Sequence, residues 1–158
     1  MIFGATGGVM EAALRTVAEV VAGKELPKLE YNEVRGMEQT REAVIDVAGV
    51  SVKVAVVHTL KSAKMMLERI KAGTADYQFI EVMACPGGCI GGGGQPVPVD
   101  ASIRQKRREA IFNCDRTSEL RKSHENPEIK TLYDTWLGKP LSEKAHSLLH
   151  THYRAQNR

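Results

Sequence analysis

Residues 79–98, Phe-Ile-Glu-Val-Met-Ala-Cys-Pro-Gly-Gly-Cys-Ile-Gly-Gly-Gly-Gly-Gln-Pro-Val-Pro, run from an apolar stretch into a loop where six of the eight residues from Gly87 to Gly94 are glycine. Glycine loses more conformational freedom on ordering than any other residue. Such a loop makes physical sense where the backbone must approach something closely or take positive φ. Cys85 and Cys89 stand in it, four residues apart. Two thiols in that setting make a metal cluster the natural candidate ligand.

The flanking pattern places this loop in an α/β fold. Val50–His58 is a β-branched run, 60–72 has helical spacing with Leu60, Ala63, Met66, Leu67 and Ile70 on one face, and Phe79–Ala84 reads as a strand buried on both faces. Together they form a βαβ unit whose second strand ends at the glycine loop, the end at which open α/β sheets bind ligands. Ala48-Gly49 joins Ala43–Val47 to Val50–His58 as a hairpin, and Leu29–Arg35 reads as a further strand. Near the N-terminus, Phe3–Gly8 is a glycine-rich turn leading into a helix over 9–22, with Val9, Ala13, Val17, Val20 and Val21 on one stripe and Thr6 as a cap. This turn is either an ordinary helix start or a loop shaped to lie against an anionic cofactor. Spacing alone favours the first.

From residue 99 the character changes. A charged helix over 100–113, capped by Asp100 or Ser102, precedes a polar break at 122–127 and two short helices over 128–137 and 142–152. The expected architecture is a small parallel or mixed sheet flanked by helices, with a lobe at 1–98 and a helical extension at 99–158.

Bulk properties exclude several classes of function. Nothing approaches the roughly 18 apolar residues of a membrane span. Aromatic content of 5% is too low and scattered for a base-stacking nucleic-acid platform. Within a net charge of +3, one dense positive knot occurs at Arg104, Lys106, Arg107 and Arg108. It reads as a solvated helix face, with an acidic partner or RNA as the alternative. No basic region followed by an apolar core marks a signal peptide. Three cysteines, two of them in one glycine loop, do not resemble a disulfide framework, which suggests a reducing cytoplasm.

Thiolates are the usual protein ligands of iron–sulfur clusters. In Cys-x-x-x-Cys, two thiolates can enter one cavity from different sides, and Pro86-Gly87-Gly88 between them removes side-chain bulk. The spacing alone is unspecific, but at a strand end and followed by four glycines and Gln95-Pro96 it is far more so. The run Glu81-Val-Met-Ala-Cys-Pro-Gly-Gly-Cys-Ile-Gly-Gly-Gly-Gly-Gln-Pro resembles the third cysteine signature of the iron-only (FeFe) hydrogenases. Residues 2–15, Ile-Phe-Gly-Ala-Thr-Gly-Gly-Val-Met-Glu-Ala-Ala-Leu-Arg, are similar to a second block of that family. Lys122-Ser-His-Glu-Asn, together with the tail from Leu137-Gly-Lys-Pro-Leu to Leu148-Leu-His-Thr-His-Tyr153, resembles its C-terminal region, which some members carry as a separate small subunit.

The resemblance implies reversible reduction of protons to dihydrogen at an H-cluster, a four-iron cubane bridged by a cysteine to a two-iron subcluster with CO, CN and dithiolate ligands. Cys85 would ligate the cubane and Cys89 would bridge the two parts. Met83 would pack near the two-iron site. Phe3, Gly4, Ala5 and Val9 would line the pocket with Gly87, Gly88, Gly92, Gly93 and Gln95, and Ala13 would belong to an apolar gas route. The family draws four cysteines from three motifs. The first two, of the type Thr-Ser-Cys-Cys-Pro and Met-Pro-Cys, do not occur in these 158 residues. The chain is therefore expected to be the C-terminal part of an anaerobic hydrogenase, inactive alone. Its partners would be the N-terminal part carrying the other ligands and a ferredoxin or nicotinamide-linked subunit as electron partner. The rival reading is a Narf-like cytosolic iron–sulfur assembly factor, a family that usually carries serine at the position of Gly87.

Other residues read more plainly. Cys114 is a helix cysteine rather than a missing ligand. His146, His150 and His152 are helix–helix or surface histidines, although His146 and His150 have a spacing zinc could use. Glu11 and Glu81 are capping or pairing groups before they are proton carriers. His58 ends a strand, either in the core or at the sheet edge.

Overall fold

The computed structural model describes residues 1–154, so the last four residues of the expected extension, 155–158, lie outside the described residues. The chain divides into two compact units, Met1–Arg121 and Lys122–Arg158.

The first unit is α/β, as the sequence pattern predicts. Strand β1 (Thr40–Val47) pairs antiparallel with β2 (Val50–His58), from Thr40↔Val57 to Val47↔Val50. Ala48 and Gly49 between them both take positive φ, 52° and 88°. This left-handed pair matches the twist of a two-residue hairpin. Strand β2 then pairs in parallel with β3 (Phe79–Met83), Val54↔Phe79 to His58↔Met83, and the crossover between them is helix α2 (Leu60–Lys71). The sheet order is β1-β2-β3.

Strand β2 is buried on both faces. Val54 and Val56 join Met10, Leu14 and Ala18 of helix α1 (Gly8–Ala22), along with Tyr31, Val34, Ile45 and Val47, in the main core. Ala55 and Val57 face Met66 of α2. Burial of each such side chain contributes about 1.5–3 kcal/mol, so the sheet is held from both sides at its central strand. Helix α3 (Ala101–Thr117) belongs to the same unit. Asp100 caps it by accepting from the Ile103 amide at 2.8 Å, and Phe112 packs with Ile2, Ala5 and Ile90.

Several expectations are corrected. Residues 29–35 form no strand; Asn32–Val34 is a 3₁₀ turn. At three residues per turn it puts Tyr31 and Val34 together into the core while Asn32 and Glu33 stay outside. Strand β3 is not buried on both faces, because it is an edge of the described sheet and leaves Phe79 and Val82 exposed. The valine stripe of α1 faces outward: Val9, Val17, Val20 and Val21 are exposed, and the inward face is Met10, Glu11, Leu14, Arg15 and Ala18. Two charged residues interrupt the true core stripe and so hide it from an apolar count. In α2, Ala63 and Met66 are buried while Leu60, Met65 and Leu67 are exposed.

In the second unit, the 122–127 break contains a 3₁₀ turn, Ser123–Glu125. Helix α4 (Pro127–Leu132) continues into a wider π-helical turn over Tyr133–Leu137. Helix α5 (Glu143–Leu149) is capped by Ser142, whose hydroxyl accepts from the Ala145 amide at 3.1 Å and donates to the Leu137 carbonyl at 2.6 Å. No described helix is long and apolar enough to cross a membrane.

Candidate functional site

The two glycine-rich segments of the sequence meet at the carboxyl end of β3. The Thr6 amide donates to the Gly87 carbonyl at 2.9 Å, tying the N-terminal turn to the cysteine loop. Within the loop, Gly88 donates to the Cys85 carbonyl, Gly91 to Gly88 and Gly92 to Cys89, all at 3.0–3.1 Å. Cys89–Gly91 is thereby a single 3₁₀ turn. Gly88 is required at its position. Its φ is +93°, and a Cβ there would lie 2.7 Å from Met83 Sδ and 2.9 Å from both the Gly4 carbonyl oxygen and the Thr6 nitrogen. The close backbone approach expected of this loop is, at Gly88, an approach to the protein's own N-terminal turn.

Cys85 is half-buried and Cys89 exposed, and both are free thiols. Gly92 leaves space beside the first, since a Cβ there would sit 3.3 Å from Cys85 Sγ. Ile90, next to Cys89, anchors the loop in the cluster of Ile2, Ala5 and Phe112. Of the remaining predicted residues, Gly87 is buried, Gly4 and Gln95 are half-buried, and Phe3, Val9 and Gly93 are exposed. Met83, Gly4 and Gly88 are thus brought together, Ala5 is buried in the cluster with Ile2, Ile90 and Phe112, and Cys89 is presented outward. Ala13 lies apart, lining an apolar groove of about 350 Å³ with Leu14, Val17, Val47, Val52 and Phe79.

The N-terminus of α1 does hold an anion, and the anion is the protein's own. Glu81, buried on β3, accepts from the amides of Gly7 and Met10 at 2.6 and 2.7 Å. The helix cap is Gly7 in the left-handed region, not Thr6, and a Cβ on Gly7 would run into the Val34 carbonyl. A carboxylate at the positive end of a helix is well placed electrostatically. Glu11, fully buried, pairs with Arg15 and Arg35, each at 2.6 Å. Both glutamates therefore cap or pair, the role their sequence setting favours.

Arg15 continues this network. It donates through two nitrogens to the buried Asp115 of α3, at 2.9 and 2.8 Å, and to the carbonyls of Leu29 and Arg121. Burial pushes the Asp115 carboxyl up, but the hydrogen bonds from Arg15 and Arg121 outweigh it and hold the group below the usual carboxylate range. Burial likewise disfavours the Arg15 cation, and Asp115 and Glu11 more than compensate, raising it.

The basic knot is not simply a solvated helix face. Lys106 is exposed, but Arg104 donates to the Val99 carbonyl and Arg107 to the carbonyls of Ile90 and Pro96. The Arg108 and Arg35 guanidinium groups flank the Phe112 ring. Sequence reasoning missed the loop-directed roles of Arg104 and Arg107 because main-chain carbonyls carry no sequence signal. Cys114 is exposed on α3, and the His146 and His150 rings stack at 4.3 Å. His58 is a core histidine, its Nε2 3.1 Å from the Met37 carbonyl oxygen.

Comparison with known proteins matches this arrangement to one family. Residues 1–93 match the family model "Iron only hydrogenase large subunit, C-terminal domain", and residues 101–156 match "Iron hydrogenase small subunit". The chain is 49% identical to the NADP-reducing hydrogenase subunit HndD of Solidesulfovibrio fructosivorans, over 99% of this chain and 27% of that protein. It is 32% identical to Protein NAR1 of Arabidopsis thaliana, over 96% of this chain and 33% of that one. Among solved structures, a variant of the [FeFe]-hydrogenase HydA1 from Chlamydomonas reinhardtii superposes with a TM-score of 0.73 at 46% identity, over 96% of this chain and 45% of the other. The chain therefore spans about a quarter to a third of the curated relatives and under half of the solved chain.

Proposed function

The chain belongs to the iron-only hydrogenase family, and from that premise we propose that it forms one wall of an H-cluster site catalysing reversible reduction of protons to dihydrogen. The observation that carries the proposal is the placement of Cys85 and Cys89 on a glycine-walled turn at the carboxyl end of a parallel strand, with both thiols free. The donor set fits the group: two soft ligands, little side-chain bulk around them, and Gly92 leaving room at Cys85 Sγ. When bound, the H-cluster would supply the redox chemistry, storing and delivering the electrons for proton reduction.

The chain's own residues have defined parts in this reading. Cys85, half-buried, and Cys89, presented outward, would be the two thiolates that hold the cluster. Met83 closes the site from the strand end against Gly88. Phe3, Gly4, Ala5 and Val9 line it on one side, and Gly87, Gly88, Gly92, Gly93 and Gln95 on the other. Ala13 lines the apolar route for gas. Residues 1–98 are the C-terminal lobe of the H-cluster domain and 99–158 the small-subunit-like extension. The N-terminal part of the protein supplies the remaining ligands, a ferredoxin or nicotinamide-linked subunit carries the electrons, and the compartment is the cytoplasm. Alone, the chain is inactive.

A second reading, a cytosolic iron–sulfur assembly factor without enzymatic activity, draws support from the NAR1-type relatives. Their lower identity, 31–32% against 49%, favours the hydrogenase. The test is to co-express the chain with its upstream part, load it with iron, sulfide and a synthetic two-iron precursor, and measure hydrogen evolution. Hydrogen from the loaded protein supports the enzyme. A fully loaded protein that evolves none rejects it in favour of the assembly reading.

A further inference from the structure

We propose that Arg107 is a positioning residue for the cysteine loop, a staple through which helix α3 sets the placement of Cys89. Its two terminal nitrogens donate to main-chain oxygens at the two ends of the glycine run: Nη1 to Ile90 at 2.9 Å and Nη2 to Pro96 at 2.7 Å. The span bridged is Gly91-Gly92-Gly93-Gly94-Gln95, the stretch with the most backbone freedom to lose on ordering. Among the described residues, the amides of Gly91 and Gly92 bond back into the loop at 3.0 and 3.1 Å, and beyond them the run continues only as a loose turn at Gly93-Gly94. Internal bonding is therefore sparse beyond Gly92, and Arg107 closes the remainder. A planar guanidinium with a fixed fork suits two carbonyls at once in a way an ammonium does not.

Arg107 is itself held by a fixed frame. Arg104, one turn earlier, lays its stem across the loop, with its Cδ 2.8 Å from where a Cβ on Gly91 would be, and donates to the Val99 carbonyl at 3.2 Å. One turn later, Ile111 and Phe112 pack on Ile2, Ala5 and Ile90, the last adjoining Cys89. At the far end Asp115 is locked to Arg15. Among the described residues Arg107 makes no ion pair, so its cationic donors serve the loop alone. Helix α3 begins the segment matched by the small-subunit model, yet it folds within the unit that carries the cysteines. The first helix of the extension is thus a working part of the loop.

The consequence for a cluster rests on the proposed function; the loop geometry does not, and two measurements separate them. In the complete protein that contains this chain, prepared free of metal, amide exchange at Gly91 and Gly92 and alkylation of Cys85 are compared among wild type, Arg107→Ala and Arg107→Lys, with the Val54–Val57 amides of β2 as internal reference. Arg107→Ala is expected to speed exchange at Gly91 and Gly92 by about tenfold or more, the order expected for losing hydrogen bonds from a charged donor, and to speed Cys85 alkylation, with β2 unchanged. Arg107→Lys should fall between. Wild-type exchange in Arg107→Ala overturns the proposal, as does equal acceleration of loop and β2 in both variants. If Arg107→Ala does not fold, Arg107→Lys decides by the same comparison. In cluster-loaded protein, Arg107→Ala should alter the electron paramagnetic resonance g-values of the cubane and Arg107→Lys should largely restore them. Unchanged g-values above a loosened loop overturn the link to Cys89. A wild-type protein that takes up no cluster overturns the proposed function and leaves the exchange result standing.

Discussion

Glu81 on β3 closes the N-terminus of helix α1 through the Gly7 amide at 2.6 Å, across 74 residues of sequence. A strand carboxylate thereby fixes the helix start, and through it the turn that touches Gly88. Glu81→Gln replaces a charge-assisted acceptor with an amide that offers only one oxygen to two buried donors. The expected cost is about 2 kcal/mol, read from the urea midpoint at constant slope. A loss below about 0.5 kcal/mol, the size of an ordinary surface substitution, would show that the amides find other acceptors.

The glycines of the loop are not equivalent. Gly88 has φ +93° and three atoms within 2.9 Å of a Cβ position, whereas a Cβ on Gly93 would meet nothing within 4 Å. Gly88→Ala should therefore cost about 2–4 kcal/mol from strain and displacement of the N-terminal turn. Gly93→Ala should stay within about 1 kcal/mol. Paired thermal melts check this, and equal effects would contradict the packing described for Gly88.

Asp115 is buried and pinned by Arg15 and Arg121, whose hydrogen bonds hold its carboxyl below the usual carboxylate range. Removing its charge leaves Arg15 short of a partner in the interior, so Asp115→Asn should destabilise by about 3 kcal/mol. A depressed folded-state value contributes stability that is complete above the unfolded value, about 3.9, and lost as pH falls below it. The stability gap between wild type and Asp115→Asn should thus be flat from pH 8 to about 5 and narrow below about 4. Denaturant titrations across that range decide it; a gap that widens in acid would reverse the sign.

Cys89→Ala tests the division of labour between the two thiols. In the complete loaded protein it should leave the cubane spectrum while abolishing the infrared bands of the two-iron unit. Persistence of both signals would remove Cys89 from the bridging role.

Much of the fold was legible from local pattern. The hairpin at Ala48-Gly49, the βαβ crossover and the caps Asp100 and Ser142 follow from residue types that act on their immediate neighbours. The cysteine loop was legible for the same reason, since its glycine density and its place at a strand end are properties of contiguous sequence. Where the reading failed, long-range pairing had intervened. Valines mark the outer face of α1 because Glu11 and Arg15 occupy the inner one, neutralised by Arg35 and Asp115 from elsewhere in the chain.

By itself, then, the sequence determined the α/β class, the position of the two thiols and the family they belong to, because period, turn chemistry and motif spacing are local. Only the tertiary structure decided that Glu81 fills the anion site at α1, that the N-terminal turn rather than open space lies against Gly88, and that a basic helix face grips the loop through Arg107. Each of these depends on main-chain amides and carbonyls brought together across tens of residues, and every residue but proline carries the same pair of groups. Their partners are chosen by packing.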